Sequence, residues 1–346
     1  KVYPLIHLAK ERGHSFRVLA TGQSVENFLM QYRDFQLPEE SLGWLNRGAD
    51  LEKSSAALRW FLRSLFTSKK NIRSHLANGS GPAYIVVHGD TLSTLLGASF
   101  GRRCRIEVVH IEAGLRSPSL FSPFPEEITR RLVSKLARVH VVPDERARNN
   151  LERAKVRGSI VSSHGNTLMD AVRFGTKIGA DLPKSGFAIA NIHRYENLNS
   201  TTRWPAIVST LVKTAAKTPI IMVAHPQTRH KLAQDSQSME QIKNSRIEIR
   251  ERMPFTEFIR LLDACDFLVT DGGSNQEECS YLGKPCLILR EETERTEGLE
   301  SCCVLSKFDE EIIARFLRDP QQYKGTLAPA GLSPSVHVMN FLETHA

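Results

Sequence analysis

The stretch Asp266–Pro285, DFLVTDGGSNQEECSYLGKP, decides the fold. An apolar run ends at Asp271. Gly272, Gly273 and Ser274 follow, and a helical pattern begins near Asn275. The next apolar run, PCLIL, opens at Pro285. Glycines let a backbone approach a phosphate closely, and the N–H groups of a helix start point at it. The same residues also suit an ordinary strand–turn–helix, since the stretch is neither a GxGxxG fingerprint nor a P-loop. Glu277 and Glu278 sit one turn inside the helix, where a carboxylate repels phosphate but accepts from ribose hydroxyls.

Outward from this unit the pattern repeats. FRVLA, YIVVHGD, IEVVHIE and RVHVV are strand candidates up to residue 142. FAIANIH, PIIMVAH, RIEIR, DFLVTD and PCLIL follow after residue 185. Helical patterns such as LLGASFGRRC and NQEECSYLG separate them. Near-continuous apolar strands alternating with helices predict parallel sheets covered on both faces. Two such sets predict an α/β chain of two Rossmann-like, doubly wound domains. Residues 1–166 with 336–346 form the first, because VMNFLETHA reads as a helix returning to it. Residues 167–335 form the second, with the boundary at HGNTLMDAV and KIGADLPKSG. The chain opens on KVYPLIHLAKERGHSF, an amphipathic helix, so a preceding strand and loop are expected to be missing.

A length of 346 residues fits two cores better than one. An apolar share of 41% and a charged share of 24% are those of a water-soluble globular chain. No apolar run is long enough for a spanning helix, and no signal-peptide pattern opens the chain, so no membrane segment is expected. The six cysteines form no CxxC pair and mostly occupy apolar runs, which points to a reducing cytoplasm and no metal site. The formal charge of +8 suits either a solvated basic surface or attraction of a phosphorylated ligand. No basic run carries interleaved aromatics, so nucleic acid is not the expected partner.

Chemistry-bearing residues cluster at strand ends, where open α/β sheets bind ligands. YIVVHGDT places His88 and Asp90 there, and IEVVHIEAGLR places His110 and Glu112. Each carboxylate also suits the cap of the next helix. In SPFPEEITRR, Pro123 and Pro125 set a helix entry, and Glu126 and Glu127 suit its positive end. Glu126 can pair with Arg130 at i,i+4 or face a substrate. FAIANIHRYEN places His193 and Arg194 after a strand, and PIIMVAHPQ does so with His225. In LILREETERTEGLE, Arg290 and Arg295 flank acids, as a phosphate clamp or as a solvated loop.

Taken in order, HGDT, HIEAGLRS, SPFPEEITRR, HRYEN, AHP, DGGSNQEE, LGKP and TERTEG resemble the non-hydrolysing UDP-N-acetylglucosamine 2-epimerases over nearly the whole chain. The resemblance implies a GT-B-type architecture with an interdomain cleft. It implies a cytoplasmic isomerase, commonly a homodimer, that interconverts UDP-GlcNAc and UDP-ManNAc for surface polysaccharide without a metal or redox cofactor. By motif match Asp90, Glu112 and Glu126 are acid/base carboxylates and His193 the catalytic histidine. Lys1, Arg130, His225, Phe258, Gly272, Gly273, Ser274, Glu278, Arg290 and Arg295 fall to the UDP-sugar. Glu127 is left as an ordinary first-turn residue.

Four features depart from the family pattern. A Gly-Thr-Arg-Pro-Glu loop is absent before Lys1. DGGS replaces the commoner Ser-Gly-Gly order, Tyr195 stands for a second arginine, and Ser24 stands where a histidine is common near an activating substrate. A hydrolysing epimerase, a GT-B glycosyltransferase and a non-catalytic nucleotide-sugar binder are the alternative readings.

Overall fold

A computed structural model describes residues 1–22, 25–45, 54–67, 69–74, 83–117, 125–178, 186–293, 295–299, 301–329 and 331–345. Ser24, Pro123 and the linker stretch 179–185 lie outside the described residues. The chain divides into two compact units, residues 1–171 with 330–346, and residues 172–329. The first division falls inside the helix Leu168–Lys177, so no loop marks it in the sequence.

Every strand candidate becomes a strand. The first unit contains β1 (Val18–Ala20), β2 (Leu42–Trp44), β3 (Tyr84–His88), β4 (Glu107–Ile111), β5 (Val139–Val142) and β6 (Ser159–Ser162). Strands β3-β4-β5-β6 form a parallel sheet in chain order, and β1 pairs with β2, also in parallel. Its two faces are covered by different helices, as parallel sheets require. Val109, Ile111, Val139 and Val141 pack with Leu5 of the helix Tyr3–Glu11 and with Val338, Met339 and Leu342 of the helix Pro334–Thr344. Val87 and Val108 face Ala98 of the helix Leu92–Cys104 and Val133 of the helix Glu126–Leu136. The period-two alternation of β4 therefore turns His110 to the same side as Val108.

The second unit contains β7 (Ala188–Asn191), β8 (Ile220–Ala224), β9 (Ile247–Glu251), β10 (Leu268–Thr270), β11 (Cys286–Ile288) and β12 (Cys303–Leu305). All six pair in parallel in the order β12-β11-β10-β7-β8-β9. Chain order runs one way from β7 through β8 to β9 and the other way from β10 to β12. The reversal leaves a crevice beyond the carboxyl ends of β7 and β10, the switch point at which such sheets bind ligands. Ala188, Ala190, Met222, Val269 and Leu287 pack with Trp204, Leu211 and Phe316 in a continuous apolar core.

Candidate active site

In the first unit Asp90 and Glu112 stand at strand ends, and Asp90 is not the cap of the helix that follows it. Thr91 caps the helix Leu92–Cys104 by accepting from Thr94 N at 3.3 Å. Asp90 is thereby released to pair with Arg130, Oδ2 to Nη2 at 2.5 Å. Glu112 follows β4 with φ +61°, a left-handed conformation that an ordinary L residue enters only at a cost of about 1–3 kcal/mol. Gly114, at φ +85°, makes the next turn possible, since a Cβ there would lie 2.3 Å from Ala147 O.

The left-handed turn delivers Glu112 into a polar cluster. Its Oε2 accepts from Lys1 Nζ at 2.7 Å and from Asn166 Nδ2 at 3.0 Å, and His88 Nε2 lies 3.0 Å away. Burial holds the His88 pKa below the ordinary histidine value despite the pull of Glu112. A small pocket opens on Glu112, lined also by Ile111, Pro143, Ser163, Gly165, Asn166 and Thr167.

The helix Glu126–Leu136 corrects two expectations. Arg130 is bound not to Glu126 but to Asp90 and to Glu127, the latter at 3.5 Å. Glu127 is no ordinary first-turn residue but fully buried, at 0% exposure. It accepts from Ser117 N at 3.0 Å and from Arg131 Nε at 2.9 Å. The helical spacing that suggested a surface pair belongs to Glu127, at i,i+3 with Arg130 and i,i+4 with Arg131. Glu126 Oε2 is buried and accepts no hydrogen bond from the described residues. That is an expensive state for a carboxylate oxygen and fits one that waits for a ligand.

In the second unit the switch point gathers its own cluster. Asp271, fully buried at the end of β10, accepts from His193 N, Arg194 N and Asn197 Nδ2, each at 3.0 Å. Its Oδ1 lies 3.5 Å from His193 Nδ1, which also meets Asn191 Oδ1 at 3.0 Å. With the Nδ1 edge facing two oxygens, the imidazole carries its proton there and presents Nε2 as the acceptor. Burial lowers the His193 pKa against the opposing pull of Asp271. His225, at the start of the helix Pro226–Gln234, stacks on His193 with ring centroids 4.6 Å apart. Burial, then His193, pushes the His225 pKa down to about 4.

The glycines stand at a strand–turn–helix junction, and Gly272 also leaves room for a neighbouring side chain. Gly272 precedes the helix Gly273–Leu282, and a Cβ on it would lie 2.8 Å from both His193 Cε1 and Asn275 Oδ1. Gly273 is half-buried, Ser274 is exposed at the helix start, and Glu278, buried, accepts from Asn275 Nδ2 at 2.8 Å. Arg295 donates to Glu277 Oε1 at 3.0 Å, so an acid of the helix holds it. Arg290 lies half-exposed beyond β11, and Phe258 is buried in the helix Phe255–Ala264. Sequence reading gave Asn166, Asn191, Asn197 and Asp271 no role. The only signal for Asp271 was a carboxylate ending a buried strand.

Two α/β units of parallel strands, one with a switch point and a glycine-opened helix and one with strand-end carboxylates, are those of an enzyme of GT-B-like fold. The family model for UDP-N-acetylglucosamine 2-epimerase matches residues 7–326. The chain belongs to that family and is an epimerase. A UDP-N-acetylglucosamine 2-epimerase of Yersinia pestis is 31% identical over 88% of this chain and 82% of its own length. One of Escherichia coli is 29% identical over 94% and 89%. The crystal structure of the Methanocaldococcus jannaschii UDP-GlcNAc 2-epimerase in complex with UDP-GlcNAc and UDP superposes with a TM-score of 0.79 at 25% identity, covering 100% of this chain and 96% of that one.

Proposed function

We propose that the protein inverts C2 of UDP-GlcNAc reversibly, giving UDP-ManNAc, by eliminating UDP and adding it back. The observation that carries this reading is the set of carboxylates in the first unit, Asp90, Glu112 and Glu126. Inversion needs one group to take the C2 proton and another to return it to the opposite face, and a set of several carboxylates can fill both places. Glu126 presents a buried oxygen with no partner among the described residues, and Glu112 is held in a strained turn beside Lys1 and His88. In the second unit, the N–H groups at the start of the helix Gly273–Leu282, with Arg295, suit the departing diphosphate. His193 stabilises the leaving charge, and Glu278 suits a ribose hydroxyl. Lys1 and Arg130 act on the sugar side, through Glu112 and Asp90.

The six unpaired, buried cysteines support a reducing cytoplasm as the working compartment. The resemblance to the non-hydrolysing enzymes supports a homodimer that supplies surface polysaccharide. Incubation with UDP-GlcNAc in deuterated water tests the reaction. The expected product is UDP-ManNAc carrying deuterium at C2. Release of free UDP and N-acetylmannosamine would identify a hydrolysing enzyme instead, and an unexchanged C2 would reject epimerisation by proton transfer.

A further inference from the structure

We propose that Glu127 is a positioning residue of the reaction, which sets the arginine that orients Asp90. The inference rests on the reading of Asp90 as one of the reacting carboxylates. Glu127 is the most enclosed carboxylate among the described residues of the first unit, at 0% exposure, and one side chain serves several cations. Its Oε2 lies 3.5 Å from Arg130 Nη1 and accepts from Ser117 N at 3.0 Å. Its Oε1 accepts from Arg131 Nε at 2.9 Å and lies 3.9 Å from Arg116 Nε. Arg130 Nη1 also donates to Ser117 Oγ at 3.1 Å, which leaves its Nη2 directed at Asp90.

A guanidinium is planar and rigid, so fixing one nitrogen fixes the direction of the other. Glu127 and Ser117 hold Nη1, and Nη2 then has one bearing, toward Asp90. The bond from Ser117 N also ties Ser117 to the start of the helix, one residue after Glu126. A single buried carboxylate thus sets the orientation of Asp90 through Arg130 and the place at which the helix bearing Glu126 begins. Burying a carboxylate is costly, and the arginines around it offset that cost only in this geometry. Geometry errors of about 1 Å at a reacting group cost on the order of 100-fold in rate.

The test is a double-mutant cycle on the full chain, read as C2 deuterium exchange. Glu127→Gln is expected to lower kcat by about 100-fold while KM for UDP-GlcNAc changes less than about threefold. Asp90→Asn lowers kcat on its own. Because Glu127 acts through Arg130 on Asp90, the double variant is expected to be no slower than Asp90→Asn alone. Multiplying effects would overturn the role, since a residue that merely stabilises the fold acts independently of Asp90. If Glu127→Gln does not fold, Glu127→Asp keeps the charge among the arginines but withdraws it by one methylene. That variant is expected to fold and to lose about tenfold in kcat, and full activity in it would overturn the proposal. An Asp90→Asn enzyme as fast as the parent would reject the reading of Asp90 itself, a result distinct from multiplying effects in the cycle.

Discussion

Gly272 shows how little room the second unit leaves around His193. A Cβ at this position would sit 2.8 Å from the imidazole, and the opposing Asn275 is itself tied to Thr270 and Glu278. Gly272→Ala is expected to push the ring off Asn191 and lower kcat by about 10–100-fold, with the melting temperature shifted by only a few degrees. Turnover and thermal denaturation on one preparation check this; an unchanged kcat would show that His193 has slack. The sequence made Gly272 legible as a phosphate-approach glycine, but not as the residue that leaves space for the histidine. That second role depends on β7 and β10 lying side by side, which no local pattern records. Glu127 was misread for a related reason. First-turn acids are usually solvated, and only the return of the chain at Ser117 buries this one.

At the scale of the element, β4 and β5 carry two histidines side by side in register, His110 against His140. Each donates from Nε2 to a backbone carbonyl, His110 to Gly89 O and His140 to Arg157 O. Their Nδ1 atoms are buried without a partner among the described residues. Burial lowers the His110 pKa to about 3 and lowers that of His140 as well. A depressed folded-state pKa means that the unfolded chain binds protons first. The contribution of His110 is therefore fully present above about pH 6.5 and is lost as pH falls toward about 3, by up to about 1.4 kcal/mol per pH unit, and His140 acts in the same direction. Urea midpoints measured from pH 7.5 to 4.5 should fall steeply, and His110→Gln should flatten the slope. A slope unchanged by that substitution would place the acid sensitivity elsewhere. The long apolar strands were legible because burial on both faces leaves continuous β-branched runs. Strands β2, β6 and β12 were not legible. Each is three or four residues long, and their pairing is visible only once the neighbouring strand is in place.

At the scale of the whole molecule, the parallel sheets and the two-unit plan were legible from alternation alone. The placement of the division was less so, because the helix Leu168–Lys177 runs through it without a break in pattern. The second unit is one uninterrupted segment with its own apolar core, residues 172–329. That fragment is expected to unfold cooperatively in urea by itself, and a gradual, uncooperative transition would show that it needs the rest of the chain. The first unit is made of two segments. The helix Pro334–Thr344 lies against β4 and β5 through Val338, Met339 and Leu342, and Arg12 and His14 bind Glu343.

The order of synthesis gives that last helix a further consequence. On the ribosome, residues 1–171 emerge before the helix Pro334–Thr344 that completes one face of their sheet. The intervening segment is continuous and carries its own core, so it is expected to become native before the first unit is complete. Throughout that interval the strands that carry Asp90 and Glu112 are nascent chain with an uncovered apolar face, the state that chaperones recognise.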